Sequence, residues 1–345
     1  MIKPPGWKKM TEKTEYVMRP INLKKDFDEL IPFYDQIFEK ELVAKGASVE
    51  AMLNEMKSFM PFFKFLGLFS KNFRHIFDGF LFEDKDGKIV STVNIGFSGN
   101  YWEIAMVATH PDHRRKGLAK KLITKSINHA KEHDAKMCIL EVLKENEPAY
   151  KLYVKEGFYH YDTRVKLKLE KGLIEKSMKI DFPDEYTIEK RKHDKQTNQA
   201  LYDLEVRATP EAVISFHPVN EFQYKKPFII RLLRPLVKLF IRSKADRYII
   251  KHNDIAVADL FVGVGRSAKD CHKLDVTIDP KHIEKLAEPL ISFALDYLKN
   301  KSELNINTIT MVRNSDSIIL ETMKKFGFTV FETDHLLGLK MDQKD

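Results

Sequence analysis

Residues 107–133 read VATHPDHRRKGLAKKLITKSINHAKEH, and residues 276–302 read VTIDPKHIEKLAEPLISFALDYLKNKS. Each is a short apolar run, a proline turn and an amphipathic helix. Leu118, Leu122, Ile123, Ile127 and Ala130 repeat at helical spacing, as do Leu286, Leu290, Ile291, Ala294 and Leu298, so each helix has one apolar face. Both copies continue in the same order. Apolar runs follow at 138–142 (CILEV) and 308–312 (TITMV). An Asn, a helix and a Gly-Phe come next, NEPAYKLYVKEGF at 146–158 and NSDSIILETMKKFGF at 314–328. Alternating residues close each copy, RVKLKL from Arg164 and DHLLGL from Asp334, and period two is strand-like.

Upstream, FLFEDKDGKIVSTVNIGF (80–97) and RYIIKHNDIAVADLFVGV (247–264) read as hairpins turning at Asp86-Gly87 and Asn253-Asp254. Apolar helical stretches precede both, at 58–73 and 226–241. The chain is therefore expected to be α+β, two copies of one domain over 1–176 and 177–345. The join falls between Gly172 and Tyr186. Each copy should form a mixed, mostly antiparallel sheet with helices on both faces.

Composition narrows the function less. The 345 residues are 43% hydrophobic and 31% charged, with a net charge of +8, as in a globular protein that favours anionic ligands. Two distant cysteines, Cys138 and Cys271, point to a reducing, cytoplasmic setting rather than a disulfide framework. Cys138, inside a strand-like run, reads as a small buried hydrophobe. No apolar run is long enough to span a membrane, and the basic start MIKPPGWKKM lacks the apolar segment of a secretory signal. The histidines show no ligand spacing with Cys or carboxylates, so no metal is expected.

The copies differ at the loop. Arg114, Gly117 and Ala119 give R-x-x-G-x-A between a strand and a helix. The first N–H groups of a helix have no intrahelical acceptor and form a ready pyrophosphate site. Gly117 admits a ligand close to the backbone, Ala119 keeps the first turn uncluttered, and Arg114, Arg115 and Lys116 add charge. Aligned on Pro111 and Pro280, the second copy has Ile283, Leu286 and Glu288 in place of Arg114, Gly117 and Ala119. Bulk and negative charge there oppose a phosphate.

The strand, HPDHRRKGLAKKL, the Asn146 helix and AYKLYVKEGF together resemble the GNAT superfamily of acetyl-CoA-dependent N-acetyltransferases. The resemblance covers roughly Tyr16 to Leu169; the second half, to about Met341, looks like the same fold without the pyrophosphate loop. It implies that the backbone of Met106, Val107 and Ala108 pairs with the pantetheine arm where the sheet parts. It implies that Arg115, Lys116, Gly117, Leu118 and Ala119 present N–H groups to the pyrophosphate while Arg114 holds the loop. Asn146 would bond the pantetheine side, Tyr153 would protonate the leaving thiolate, and Glu103 would be the base.

Those residue types suit the chemistry. An amine arrives as ammonium, with a pKa of about 10.4, and must lose a proton before attack. The oxyanion needs a donor, for which the Val107 N–H is suited, and the thiolate gains from an acid. No nucleophilic side chain is needed. Acetyl-CoA is the expected co-substrate, and a small-molecule or protein amine the acceptor. Nucleic acid is not an expected partner. A monomer is expected, the second copy completing the acceptor cleft in place of a dimer partner, with a homodimer open. Two alternatives stay open: an aminoacyl-tRNA-dependent transferase, and a non-catalytic acyl-CoA-binding module. The phenylalanines of 59–73 read as core or acceptor wall, and the basic amphipathic stretch 228–242 as a packed helix or a membrane-surface face.

Overall fold

The computed structural model describes residues 15–44, 75, 78–98, 101–174, 178–192, 194–224, 244–268 and 270–341. The phenylalanine-rich run of 59–73 and the basic stretch 228–242 lie outside the described residues. The first half runs β1 (Tyr16–Pro20), α1 (Leu23–Ala44), β2 (Asp78–Asp84), β3 (Ile89–Ser98), β4 (Tyr101–Thr109), α2 (Leu118–Glu132), β5 (Met137–Leu143), α3 (Glu147–Lys155) and β6 (Tyr159–Leu169). The second begins with β7 (Thr187–Lys190), α4 (Lys195–Ala208) and two single turns, α5 (Glu211–Ile214) and α6 (Glu221–Tyr224). It continues with β8 (Lys244–His252), β9 (Ile255–Val264), β10 (His272–Ile278), α7 (Ile283–Lys301), β11 (Thr308–Arg313), α8 (Ser317–Lys325) and β12 (Thr329–Lys340). Both hairpin turns fall where the sequence puts them. Gly87 takes φ 78°, and Asn253 and Asp254 take 50° and 62°, the positive values that tight hairpins demand.

The α+β repeat is present, and its two copies share one sheet. The strand order is β1-β2-β3-β4-β5-β12-β6-β11-β10-β9-β8-β7. Only β4/β5 and β10/β11 are parallel among the described pairs. The last strands of the two copies have changed places. β12 lies beside β5, from Asp334 opposite Leu143 to Lys340 opposite Met137. β6 lies beside β11, from Arg164 opposite Arg313 to Leu169 opposite Thr308, and β6 and β12 pair with each other. The cores follow the strands. Leu337 and Met341 are buried under α2 and α3 with the first half's apolar residues, while Val165, Leu167 and Leu169 are buried under α7 and α8. A fully buried leucine contributes about 1.5–3 kcal/mol, so each half depends on the other's strand. Among the described residues no helix is long and apolar enough to cross a membrane.

A buried charge cluster sits on the exchange seam. Lys166 Nζ on β6 lies 2.5 Å from Asp334 Oδ2 and also bonds Glu332, both on β12. Burial disfavours its charge, yet the bonds to the two carboxylates outweigh that and raise its pKa. Removing one partner of a buried ion cluster leaves the others uncompensated, at about 3–5 kcal/mol. Lys166→Met is therefore expected to lower unfolding stability by about that amount in a denaturant titration. Adding Glu332→Gln and Asp334→Asn to that variant should restore much of the loss.

Candidate functional site

The sheet parts at β4. β4 and β5 pair only over Trp102, Glu103 and Ile104, opposite Cys138, Ile139 and Leu140, and diverge beyond. At that point β4 carries a bulge, its register against β3 jumping from Asn94–Ala105 to Thr92–Ala108. Met106 stands at φ 49°, strained for a residue with a side chain. Trp102, Ile104 and Val107 pack on the α2 side, whereas Met106 and Ala108 pack towards α1. The bulge thus turns backbone groups towards an open gap rather than a neighbouring strand.

The loop after β4 ends one turn beyond its proline. A short 3-10 turn, Pro111–His113, leads into Arg115 at φ 62° and Gly117 at φ 77°. Alternating left-handed residues make a nest of N–H groups. Lys121 N–H is bonded to the Gly117 carbonyl, and α2 has no side-chain cap. The N–H groups of Leu118, Ala119 and Lys120 therefore lack intrahelical acceptors. A Cβ on Gly117 would meet nothing within 4 Å, so the space above it is open. Arg114 Nε donates to the Thr109 carbonyl at 3.2 Å and ties the loop to the strand. Lys116 Nζ reaches Tyr16 Oη at 2.7 Å.

The second copy fills the same place with its own atoms. α7 begins at Ile283, three residues past Pro280, where α2 begins seven past Pro111. About one extra helical turn replaces the nest. Asp279 accepts the Lys281 N–H at 3.1 Å and Arg207 Nε at 2.8 Å, a built-in carboxylate at the loop. β10 runs in register against β9 with no bulge. Leu286, which aligns with Gly117 when the two copies are matched on their prolines, lies inside α7 and is buried.

Glu103 projects from the face opposite Trp102, with Tyr101, Ile139 and Glu141. Burial first, then the charge of Glu141, raises its pKa, with Arg164 opposing. Arg164 is itself ion-paired to Glu141. Tyr153 lies on the other side of the sheet, its ring buried beside Val142, Phe158 and Leu337. Burial alone pushes its phenol well above the ordinary range, so it stays protonated. Asn146 is the N-cap of α3, its side-chain oxygen accepting from Ala149 N–H at 3.3 Å. That capping use leaves the amide NH2 to serve any other partner.

Sequence reasoning missed the contribution of the second half to the Glu103 face. His217 Nε2 lies 2.8 Å from Tyr101 Oη and its Nδ1 3.5 Å from Tyr161 Oη. Asn220 donates to the Ser98 carbonyl at 3.4 Å. Phe216 stacks on Tyr159 and Tyr161 at 5.2 and 5.5 Å. Nothing in SFHPVN, residues 215–220, names the tyrosines it meets. A cavity of about 280 Å³ adjoins this segment, lined by His217 and Arg164 and by Asp259, Asp275, Arg247 and Arg313. Burial pushes the Asp259 carboxyl up to about 6. Also unforeseen, His75, His129 and His133 gather at the far end of α2. Cys138 is fully buried, its thiol pushed up to about 12 by desolvation, as an inert core residue should be.

Residues 49–158 match the family model "Acetyltransferase (GNAT) family". The chain thus carries a GNAT-family domain over that segment, and it has the fold of a tandem GNAT protein. A tandem GNAT protein from the clavulanic acid biosynthesis pathway superposes with a TM-score of 0.62 at 11% identity, over 96% of this chain and 100% of that one. A GCN5-related N-acetyltransferase from Sphaerobacter thermophilus gives 0.58 at 12% identity, over 95% and 96%. Such low identities speak to fold alone. The UPF0157 protein YqkA of Bacillus subtilis (strain 168) is 30% identical over 90 residues, 26% of this chain and 25% of that protein. The match thus spans about a quarter of the length of that curated relative.

Burial, with Arg164 and Arg313 nearby, lowers the His217 pKa from 6.5 to about 4. The unfolded chain takes up this proton before the folded one does. Stability tied to neutral His217 is complete above about pH 6.5 and is lost as pH falls towards 4. Histidine NMR should place its titration near 4, and His217→Gln should flatten the stability profile in that window. A normal titration midpoint would contradict the buried geometry.

Proposed function

We propose that this chain is an N-acyltransferase that moves an acetyl group from acetyl-CoA to a primary amine by direct attack in a ternary complex. The observation that carries the reading is the uncapped left-handed loop Arg115–Gly117 beside the parted strands β4 and β5. In this reading the bulged backbone of Met106, Val107 and Ala108 pairs with the pantetheine arm. The N–H groups from Arg115 through Ala119 take the pyrophosphate, with Arg114 bracing the loop and Asn146 bonding the pantetheine. The residues present fit coenzyme A in charge, backbone conformation and open space.

Glu103 removes the proton of the attacking amine, directly or through water. The carbonyl oxygen gathers negative charge as the amine adds, and the Val107 N–H stabilises it. Collapse expels the thiolate, which Tyr153 protonates. The catalytic apparatus lies within 1–176, and the second half, whose loop is closed by Asp279, binds no cofactor. Instead it completes the acceptor cleft with His217 and the adjoining cavity. That cavity sets the carboxylates of Asp259 and Asp275 among Arg164, Arg247 and Arg313, and in this reading the carboxylates receive the cationic small-molecule or protein amine. The intact loop disfavours an aminoacyl-tRNA donor, which needs no pyrophosphate site of this kind.

Calorimetry with acetyl-CoA is expected to give one site per chain, and two equivalent sites would overturn the division between halves. Gly117→Val should weaken that binding at least about 10-fold, since a left-handed β-branched residue costs about 1–2 kcal/mol before its side chain meets the ligand. Glu103→Gln and Tyr153→Phe should each lower kcat, within the range of about 10²–10⁴-fold for general acid–base groups, with cofactor affinity retained. Because the Glu103 pKa is raised, the acid limb of the kcat/KM profile should fall at higher pH than an ordinary glutamate gives, and Glu103→Gln should abolish it. Unchanged rates in both variants would remove these catalytic assignments.

A further inference from the structure

Three imidazoles converge at the end of α2 remote from the loop. His129 lies in the last turn of α2 and His133 at its C-cap, one turn apart, while His75 precedes β2. A nitrogen from each lies within 4.8 Å of those from the other two. The His129 and His133 ring centres are 4.4 Å apart, and those of His75 and His133 are 4.8 Å apart. All three rings are half-buried, packed around Trp102 at 5.3, 5.4 and 5.5 Å.

One nitrogen of each ring has an oxygen acceptor beside it. Asp78 Oδ2 lies 2.8 Å from His75 Nδ1 and 3.0 Å from His129 Nε2. His133 Nδ1 lies 2.8 Å from the His129 carbonyl, which can only accept. A neutral imidazole that donates through one nitrogen presents a ligand lone pair on the other. Carboxylate and carbonyl acceptors behind the rings are the usual outer support of histidine metal ligands. The Trp102 indole is fully buried, and its Nε1–H has no acceptor among the described residues. A water or anion held by an ion beside it would supply one.

We propose that His75, His129 and His133 form a binding site for a divalent transition metal, Zn²⁺ being the best fit, oriented by Asp78. Zinc takes neutral imidazoles in tetrahedral geometry at about 2.0–2.1 Å. Three protein ligands leave a fourth position for water. The ion would pin the chain just before β2 to the end of α2. The site stands about 18 Å along α2 from Gly117, at 1.5 Å per residue, so it acts on structure rather than on the transfer step.

The test uses the full chain without a polyhistidine tag, stripped with a chelator and titrated with Zn²⁺ alone. One ion per chain is expected, together with a rise in Tm and, on Co²⁺ substitution, the visible absorption of a tetrahedral site. Asp78→Asn should weaken Zn²⁺ binding about 10–100-fold, and a His129→Gln, His133→Gln double variant should lose both the ion and the Tm response. Far-UV circular dichroism of each metal-free variant checks that it is folded. Should the wild-type chain take up no more Zn²⁺ than the folded double variant, the site is refuted. Equal Tm shifts in both would refute it as well, by placing the ion elsewhere.

Discussion

The exchange of β6 and β12 is the constraint from which the rest of the structure follows. A strand buried on both faces, with neighbours on both edges, cannot be withheld without exposing apolar surface and backbone polar groups together. Leu337 and Met341 complete the first core, and Val165, Leu167 and Leu169 the second. The two halves are therefore one folding unit with a fixed mutual orientation. Lys166, between Glu332 and Asp334, adds a register mark on the seam. A one-residue slip would move it to the opposite face and leave two carboxylates buried without a cation.

That dependence separates what the second half must keep from what it can lose. Its strands and helical faces are required; its loop is not. The differences follow that line. In the first copy Met106 and Arg115 hold left-handed φ values of 49° and 62°, at about 1–2 kcal/mol each. Among the described residues between His272 and Lys301, none has a positive φ. There the bulge is gone, the helix starts a turn earlier, and Asp279 closes the turn on Lys281 N–H. At this loop, left-handed residues other than glycine persist only in the copy where, in the proposed reading, a bound ligand would compensate for them.

The repeat was legible because helix faces and strand alternation are local patterns. RVKLKL and DHLLGL announce themselves as strands, yet each would satisfy either half, since alternation names a face and not a neighbour. The exchange was therefore invisible. So was the bulge, because EIAMVAT reads as one apolar strand and the inversion between Ala105 and Val107 needs the partner's register. The loop was legible through its glycine and arginines. His217 was not, because a histidine in a polar turn carries no sign of the tyrosines it will meet. His129 and His133 could be paired at helical spacing, but His75 joins them only through the path of the chain into β2.

The same geometry divides the proton chemistry. Two titratable groups flank the parted strands on opposite faces, and burial raises both. For a carboxyl that ordinarily ionises near 4.5, a rise makes a stronger base. For a phenol ordinarily near 10, a rise keeps the proton in place. In the proposed mechanism one cause would thus serve both roles, a proton acceptor at Glu103 and a proton donor at Tyr153. The second half preserves this contrast by bringing up a histidine that burial holds neutral. A cation at that position would pull the Glu103 pKa down and weaken it as a base. A neutral ring that bonds Tyr101 adds no such cation beside the carboxylate, which in the proposed mechanism would suit an acceptor that arrives as ammonium and must leave its proton behind.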